Sequence, residues 1–183
     1  MPTPRLDPQH TVLLVVDVQQ RLVSSIHDGD RIVAQTGRLI DGITALGLPI
    51  LVTEQYPKGL GPIVPELAGR LRGAVCHCEK LKFSACIEPV RRELARLKTR
   101  SVLVAGIEAH VCVIQTCVDL IDAGYVTAVA VDATGSRRHG DKAAALERMA
   151  QAGVIPTTVE SALFELVHEA GGDKFKAILA LVK

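Results

Sequence analysis

Ser101-Val-Leu-Val-Ala-Gly106 is an apolar run that stops at a glycine and gives way, through Ile107, to an amphipathic stretch from Glu108 to Ala123 containing Cys112. A run this short and this apolar has the character of a strand covered on both faces, and the segment behind it has helical spacing. A strand feeding straight into a helix is half of a βαβ unit. The same junction places the Cys112 thiol one or two turns past a strand end, where unpaired backbone N–H groups and the helix dipole favour a thiolate. On position alone, a small buried hydrophobe packing the first turn accounts for Cys112 equally well.

Working outward, the pattern repeats. Thr11-Val-Leu-Leu-Val-Val16 reads as another buried strand. From Asp30 to Leu46, Ile32, Val33, Thr36, Leu39, Ile40, Ile43 and Leu46 fall on one helical face, with Asp30 as cap and Gly47 as stop. Pro49 to Thr53 reads as the second strand, followed by the turn-rich loop Tyr56-Pro-Lys-Gly-Leu-Gly-Pro62. A short third strand is expected around Ala74 to Cys78 and a helix from near Pro89. After the Ser101 strand and the Cys112 helix come a fifth strand at Val126 to Val131 and a helix from about Gly140 to Ala152. A sixth strand at Val154 to Val159 and one or two C-terminal helices close the chain. This predicts an α/β fold: one domain over residues 1–183, a three-layer αβα sandwich around a mostly parallel, Rossmann-like six-stranded sheet.

Composition narrows the function. The 183 residues carry a net charge of +1 and only 3% aromatics, which leaves no sequence-wide footprint for nucleic acid and few platforms for stacking bases. No apolar run approaches the roughly 20 residues of a membrane span, and the stretch from Met1 to His10 has no apolar core of a signal peptide. The expectation is a soluble cytoplasmic protein acting on a small molecule. Five cysteines, an odd set, argue for free thiols. Cys76-His77-Cys78 invites a metal reading, but strand geometry points His77 away from the two thiols. No metal and no cofactor are expected.

In a doubly wound sheet the ligand crevice lies beyond the carboxyl ends of the strands. Asp17 ends the first strand, Lys80 follows the third and Cys112 follows the fourth, so a carboxylate, an ammonium and a thiol converge on one edge. Such a set suits nucleophilic acyl transfer. Each member also has a plain structural reading: Asp17 as a turn residue, Lys80 as surface charge, Cys112 as core.

Taken in order, Val15-Val-Asp17-Val-Gln19, Lys80-x-x-Phe83-Ser84-Ala85 and Ala105-Gly-Ile-Glu-Ala-His-Val-Cys112-Val113 resemble the three motifs of the isochorismatase-like cysteine hydrolase superfamily, which includes nicotinamidases. The resemblance runs from about Thr11 to Phe164. It implies a catalytic triad of Asp17, Lys80 and Cys112, with Lys80 preferred over Lys82 because the family lysine stands three residues before the aromatic of the aromatic-Ser-Ala unit. It also implies a non-proline cis peptide at Ile107–Glu108 and an oxyanion hole from the backbone N–H groups of Glu108 and Cys112. Hydrolysis of a small amide or related C–N bond through a thioester is the activity it suggests. Gln19, Tyr56, Phe83 and His110 are the candidate substrate contacts, with His110 as general base the alternative to its lining the pocket.

Two departures matter. Nicotinamidases hold a metal through Asp-x-His after the second strand, where this chain has Thr53-Glu54-Gln55-Tyr56. Isochorismatases that cleave a vinyl ether do so without a nucleophilic thiol. The chain looks most like the metal-independent isochorismatase-domain proteins. Three further expectations complete the reading. Arg137-Arg138-His139 is either an acid-binding group or a solvated loop. Ala177, Ile178, Leu181 and Val182 are expected to pack a second subunit in a homo-oligomer. The competing functions are a catalytically drifted fold acting through protein contact and a thiol redox protein using Cys112 with Cys117, a pair poorly spaced for a disulfide.

Overall fold

The computed structural model describes residues 4–183, so the first three residues of the N-terminal stretch lie outside it. Six strands, β1 (Thr11–Val16), β2 (Ile50–Gln55), β3 (Cys76–Lys80), β4 (Ser101–Ile107), β5 (Val126–Gly135) and β6 (Ile155–Thr157), form one sheet in the order β3-β2-β1-β4-β5-β6. Every pairing is parallel. The helices are α1 (Gln20–Val23), α2 (Gly29–Leu46), α3 (Pro57–Leu60), α4 (Pro65–Ala68), α5 (Glu88–Arg96), α6 (Ile114–Asp122), α7 (His139–Gln151), α8 (Val159–Val167) and α9 (Gly172–Val182).

Two-residue alternation along the central strands divides the core between the sheet's faces. Leu13, Val15, Val52 and Leu103 pack with Ile40 and Ile43 of α2, Leu163 of α8 and Ile178 of α9. Val12, Leu14, Leu51, Val102 and Val104 pack with Val90 and Leu94 of α5, Cys117 and Leu120 of α6 and Met149 of α7. The expected three-layer α/β architecture is the observed one.

Several boundaries differ from the sequence reading, each for a local reason. Helix α2 starts at Gly29, with Asp28 in the left-handed region before it and no side-chain cap, so Asp30 lies in the first turn, where its charge suits the dipole. Strand β2 runs on to Gln55 and β3 to Lys80 because Glu54 and Gln55 pair in register with Glu79 and Lys80. Strand β5 extends to Gly135 through an irregularity: Val104 pairs with Val129, but Gly106 pairs with Thr134, so β5 spends extra residues around Asp132 before rejoining β4. Strand β6 is only three residues long, because Thr158 caps α8 by accepting the Ser161 N–H.

The C-terminal expectation is corrected at Ile178, which is fully buried against α2 and α8, while Ala177, Leu181 and Val182 are partly exposed beside it. The exposed large apolar side chains lie elsewhere: Tyr56, Val75, Leu81 and Phe83.

Candidate active site

The carboxyl ends of β1, β2, β3 and β4 bring Asp17, Thr53, Gln55, Lys80 and the Cys112 segment to one edge. Asp17 follows β1 in the left-handed region, at φ 55°, which turns the chain sharply and is a conformation that Asp tolerates better than most residues. Its Oδ2 stands 2.6 Å from Lys80 Nζ, and both side chains are 0% exposed. Thr53 Oγ1 donates to Asp17 Oδ1 at 2.8 Å. Oδ2 itself receives no well-aligned hydrogen bond, so the ion pair leaves that oxygen with capacity to take a proton.

Lys80 is held on its remaining sides. Its ammonium donates to Gln55 Oε1 at 2.8 Å, to the Phe83 carbonyl at 2.8 Å and, more weakly, to the Lys82 carbonyl at 3.2 Å. Gln55 Nε2 in turn donates to the Leu81 carbonyl at 2.9 Å. Gln55 therefore fixes both the lysine and the loop that follows it. Gln19 is fully buried, and its amide accepts from the Gln55 N–H at 2.7 Å while donating to the carbonyls of Gln55 and Gly61 at 3.0 and 2.6 Å. That clamp occupies Gln19 at both ends of its amide and ties the end of β2 to the loop at Gly61.

Cys112 sits in a single π-helical turn, Ala109–Val113, and not at the start of an α-helix. The Glu108 carbonyl accepts from Val111 N–H at 3.0 Å and from Val113 N–H at 3.1 Å, bracketing Cys112. The Ile107–Glu108 peptide is cis, as the family resemblance implied. Gly106, at φ 131°, is required here, because a Cβ would fall 2.0 Å from the Val16 carbonyl oxygen. Behind the turn, Thr116 Oγ1 donates to the Cys112 carbonyl at 2.7 Å and accepts from Ala85 N–H at 2.8 Å, so α6 is tied to the loop after Lys80.

Cys112 is 5% exposed, and its thiol is pushed up to about 12. Burial is the largest cause and the Asp17 charge adds to it. The Lys80 charge and hydrogen bonding from the Glu108 backbone pull the other way but lose. The expectation that the junction favours a thiolate is thus overturned for the resting protein, because desolvation exceeds the pull of the backbone dipoles. Asp17 is likewise raised by burial, with Lys80, Thr53 and Cys112 opposing, so it is a better base than a solvated carboxylate.

The remaining candidates surround this core. Tyr56 (50% exposed) lines a cleft of about 310 Å³ with Pro57, Lys58, Glu79, Lys80 and Leu81. Phe83, 53% exposed, lies on the loop whose carbonyls hold the lysine. His110 turns its Nδ1 to Ser136 Oγ, 3.0 Å away at the end of β5. His77 bonds to Glu54 Oε2 at 2.9 Å on the face opposite Cys76 and Cys78. Among the described residues, no three His, Cys, Asp or Glu side chains gather as a metal-ligand set, and no helix is long and apolar enough to cross a membrane. Thr53, Gln55 and Ser136 escaped the sequence reading of the site, and the acid that Arg137 binds is the chain's own Glu108. The available signal for the first two was a pair of polar residues on one face of an otherwise apolar strand.

Comparison with known proteins agrees with this fold. Residues 11–161 match the isochorismatase domain. The secreted isochorismatase effector Isc1 of Phytophthora sojae is 39% identical over 98% of this chain and 87% of its own length. Among solved structures, the MAR1 ribonuclease from Caenorhabditis elegans superposes with a TM-score of 0.93 at 42% identity, covering 97% of this chain and 92% of that one. The YcaC gene product of Escherichia coli, described as an octameric hydrolase of unknown specificity, superposes at 0.90 with 25% identity over 99% and 90% of the two chains. With its six parallel strands and its polar edge, the chain belongs to the isochorismatase family and has the fold of that family's small-molecule hydrolases.

Proposed function

We propose that the protein is a cysteine hydrolase of small amides or related C–N substrates, working through a thioester on Cys112. The observation that supports this best is the fully buried Asp17–Lys80 ion pair set against a protonated thiol. Nothing in fold stability calls for that pair, since a buried ion pair can be replaced by apolar groups at little or no cost.

The chemistry follows from the proton positions. A carbonyl entering beside Cys112 meets a thiol whose proton passes to Asp17 Oδ2 as sulfur bonds to carbon. The carbonyl electron pair moves onto oxygen, beside the N–H groups of Glu108 and Cys112. Collapse breaks the C–N bond, and the leaving amine takes the proton from Asp17. Water then gives a proton to Asp17 and attacks the thioester, and Cys112 leaves as a thiolate that recovers that proton. Lys80 stays charged throughout and offsets the anion as it moves between Asp17 and sulfur.

The partner in this reading is a small molecule met in the cytoplasm, in keeping with free thiols at all five cysteines. The surface for a homo-oligomer is the exposed group of Tyr56, Leu81 and Phe83 beside the cleft. A second reading, a drifted fold used for protein contact, draws on the 5% exposure of Cys112. The deciding experiment measures ammonia or amine release from a panel of small amides by wild type and Cys112→Ser, with an RNA substrate beside them. Turnover that vanishes in Cys112→Ser supports the hydrolase. Turnover of no amide sinks it in favour of the contact reading, and cleavage of RNA unaffected by Cys112→Ser moves the protein to a different chemistry.

A further inference from the structure

The segment that closes β5 reaches back to the Cys112 turn at two points. Arg137 holds the Glu108 carboxylate with its Nε at 3.0 Å and its backbone N–H at 3.3 Å, both to Oε2. One residue earlier, Ser136, itself 1% exposed, bonds to His110 Nδ1 at 3.0 Å and accepts the His27 N–H on its carbonyl at 3.0 Å. The stretch between those anchors, Glu108 to His110, leads into the π turn that carries the sulfur, and the Glu108 backbone is the one whose hydrogen bonding pulls the Cys112 thiol down. Glu108 is 9% exposed, so its carboxylate is spent on Arg137 and not on solvent.

We infer that Arg137, through the Glu108 carboxylate, is a positioning residue for the oxyanion pocket: it fixes the direction of the Glu108 N–H toward the atom that becomes negative. This rests on the hydrolase reading above. The physical case is one of angle and freedom. A backbone N–H stabilises a developing oxyanion only if it is already aimed, and a carboxylate gripped at a single oxygen by both a guanidinium and a backbone N–H fixes the residue that carries it. Arg137 touches no reacting atom and its side chain is largely in solvent, so its effect should be confined to the step that makes an oxyanion.

Two reactions at the same sulfur separate that role from a general structural one. Acylation by p-nitrophenyl acetate forms a tetrahedral oxyanion as the S–C bond forms, and its collapse breaks the C–O bond and releases p-nitrophenolate. Alkylation by iodoacetamide displaces iodide at a saturated carbon and needs no oxyanion pocket. In Arg137→Ala, acylation of Cys112 should fall about 10- to 100-fold, the range expected for a misaimed donor, while alkylation stays within about twofold of wild type. Arg137→Lys keeps the charge and loses the planar fork, so it should fall between. In Glu108→Gln combined with Arg137→Ala, acylation should be no slower than in the worse single variant. An equal fall in both reactions, or unchanged acylation, overturns the inference. Wild-type acylation no faster than Cys112→Ser takes down the hydrolase reading and the inference with it.

Discussion

The pairing of β1 with β4 carries buried polar groups at both ends, and the two groups have opposite characters. At the entry, Thr11 stands opposite Ser101. Their hydroxyls meet at 2.6 Å, Ser101 Oγ accepts the Asp7 N–H at 2.9 Å, and Thr11 Oγ1 also bonds to the Asp7 carbonyl at 2.6 Å. All of these groups are neutral and partnered. At the exit, where Val16 stands opposite Gly106, the next residues bring in a charged carboxylate with an oxygen left without an aligned donor, an ammonium and a thiol held from ionising. Burial alone does not mark a functional group. The mark is burial with charge and with one lone pair unspent.

That contrast can be broken at either end. The largest effect belongs to the exit: Cys112→Ser should lower turnover of any substrate found by at least ~10³-fold and leave urea stability nearly unchanged, as measured by steady-state kinetics and an equilibrium melt. Iodoacetamide labelling of Cys112 sharpens the electrostatic half. A thiol with a pKa of about 12 should label slowly at neutral pH, and its rate should climb about tenfold per pH unit as the thiolate fraction grows. A plateau reached near pH 8 would show that Lys80 and the backbone dipoles win over burial. The same shift fixes a sign for stability. The folded protein holds this proton to higher pH than the unfolded chain, so the stability contributed by the neutral thiol is intact below about 9 and is lost as pH rises toward 12.

Lys80→Met leaves Asp17 charged and alone in the core, with an expected cost of about 3–5 kcal/mol in urea unfolding. Adding Asp17→Asn to Lys80→Met should recover most of that stability and none of the activity. If the single variant costs nothing, the buried pair is not the charged pair its 2.6 Å separation implies. The smallest effect lies at the entry, where Ser101→Ala strands the Asp7 N–H and leaves the Thr11 hydroxyl only its bond to the Asp7 carbonyl, at a cost of about 1–3 kcal/mol with kcat unchanged. A change in kcat there would erase the distinction between the two ends.

Much of this was legible in the chain. The order of strands and helices follows from apolar runs alternating with helical spacing, and Asp17, Lys80 and Cys112 stand out because each sits where such a run stops. The partners that make them work were harder to see. Thr53 and Gln55 look like the polar end of β2 until β3 is laid beside it in register, and the grip of Arg137 on Glu108 spans 29 residues of sequence. The π turn depends on a backbone path that no residue type announces. The sign of the Cys112 shift was misjudged because dipoles and neighbouring charges can be counted along a sequence, whereas desolvation exists only once the chain has closed over the sulfur.

Oxidation by peroxides and disulfides begins with attack of the sulfur anion on the O–O or S–S bond, and a buried sulfur whose proton is held up to about pH 12 supplies little of that anion. The arrangement around Cys112 therefore sets how the protein ages as well as how it reacts. On the proposed mechanism the nucleophile stays reduced under oxidative stress by being dormant, and the partly exposed Cys78 lies more open to solvent than the residue whose loss would matter.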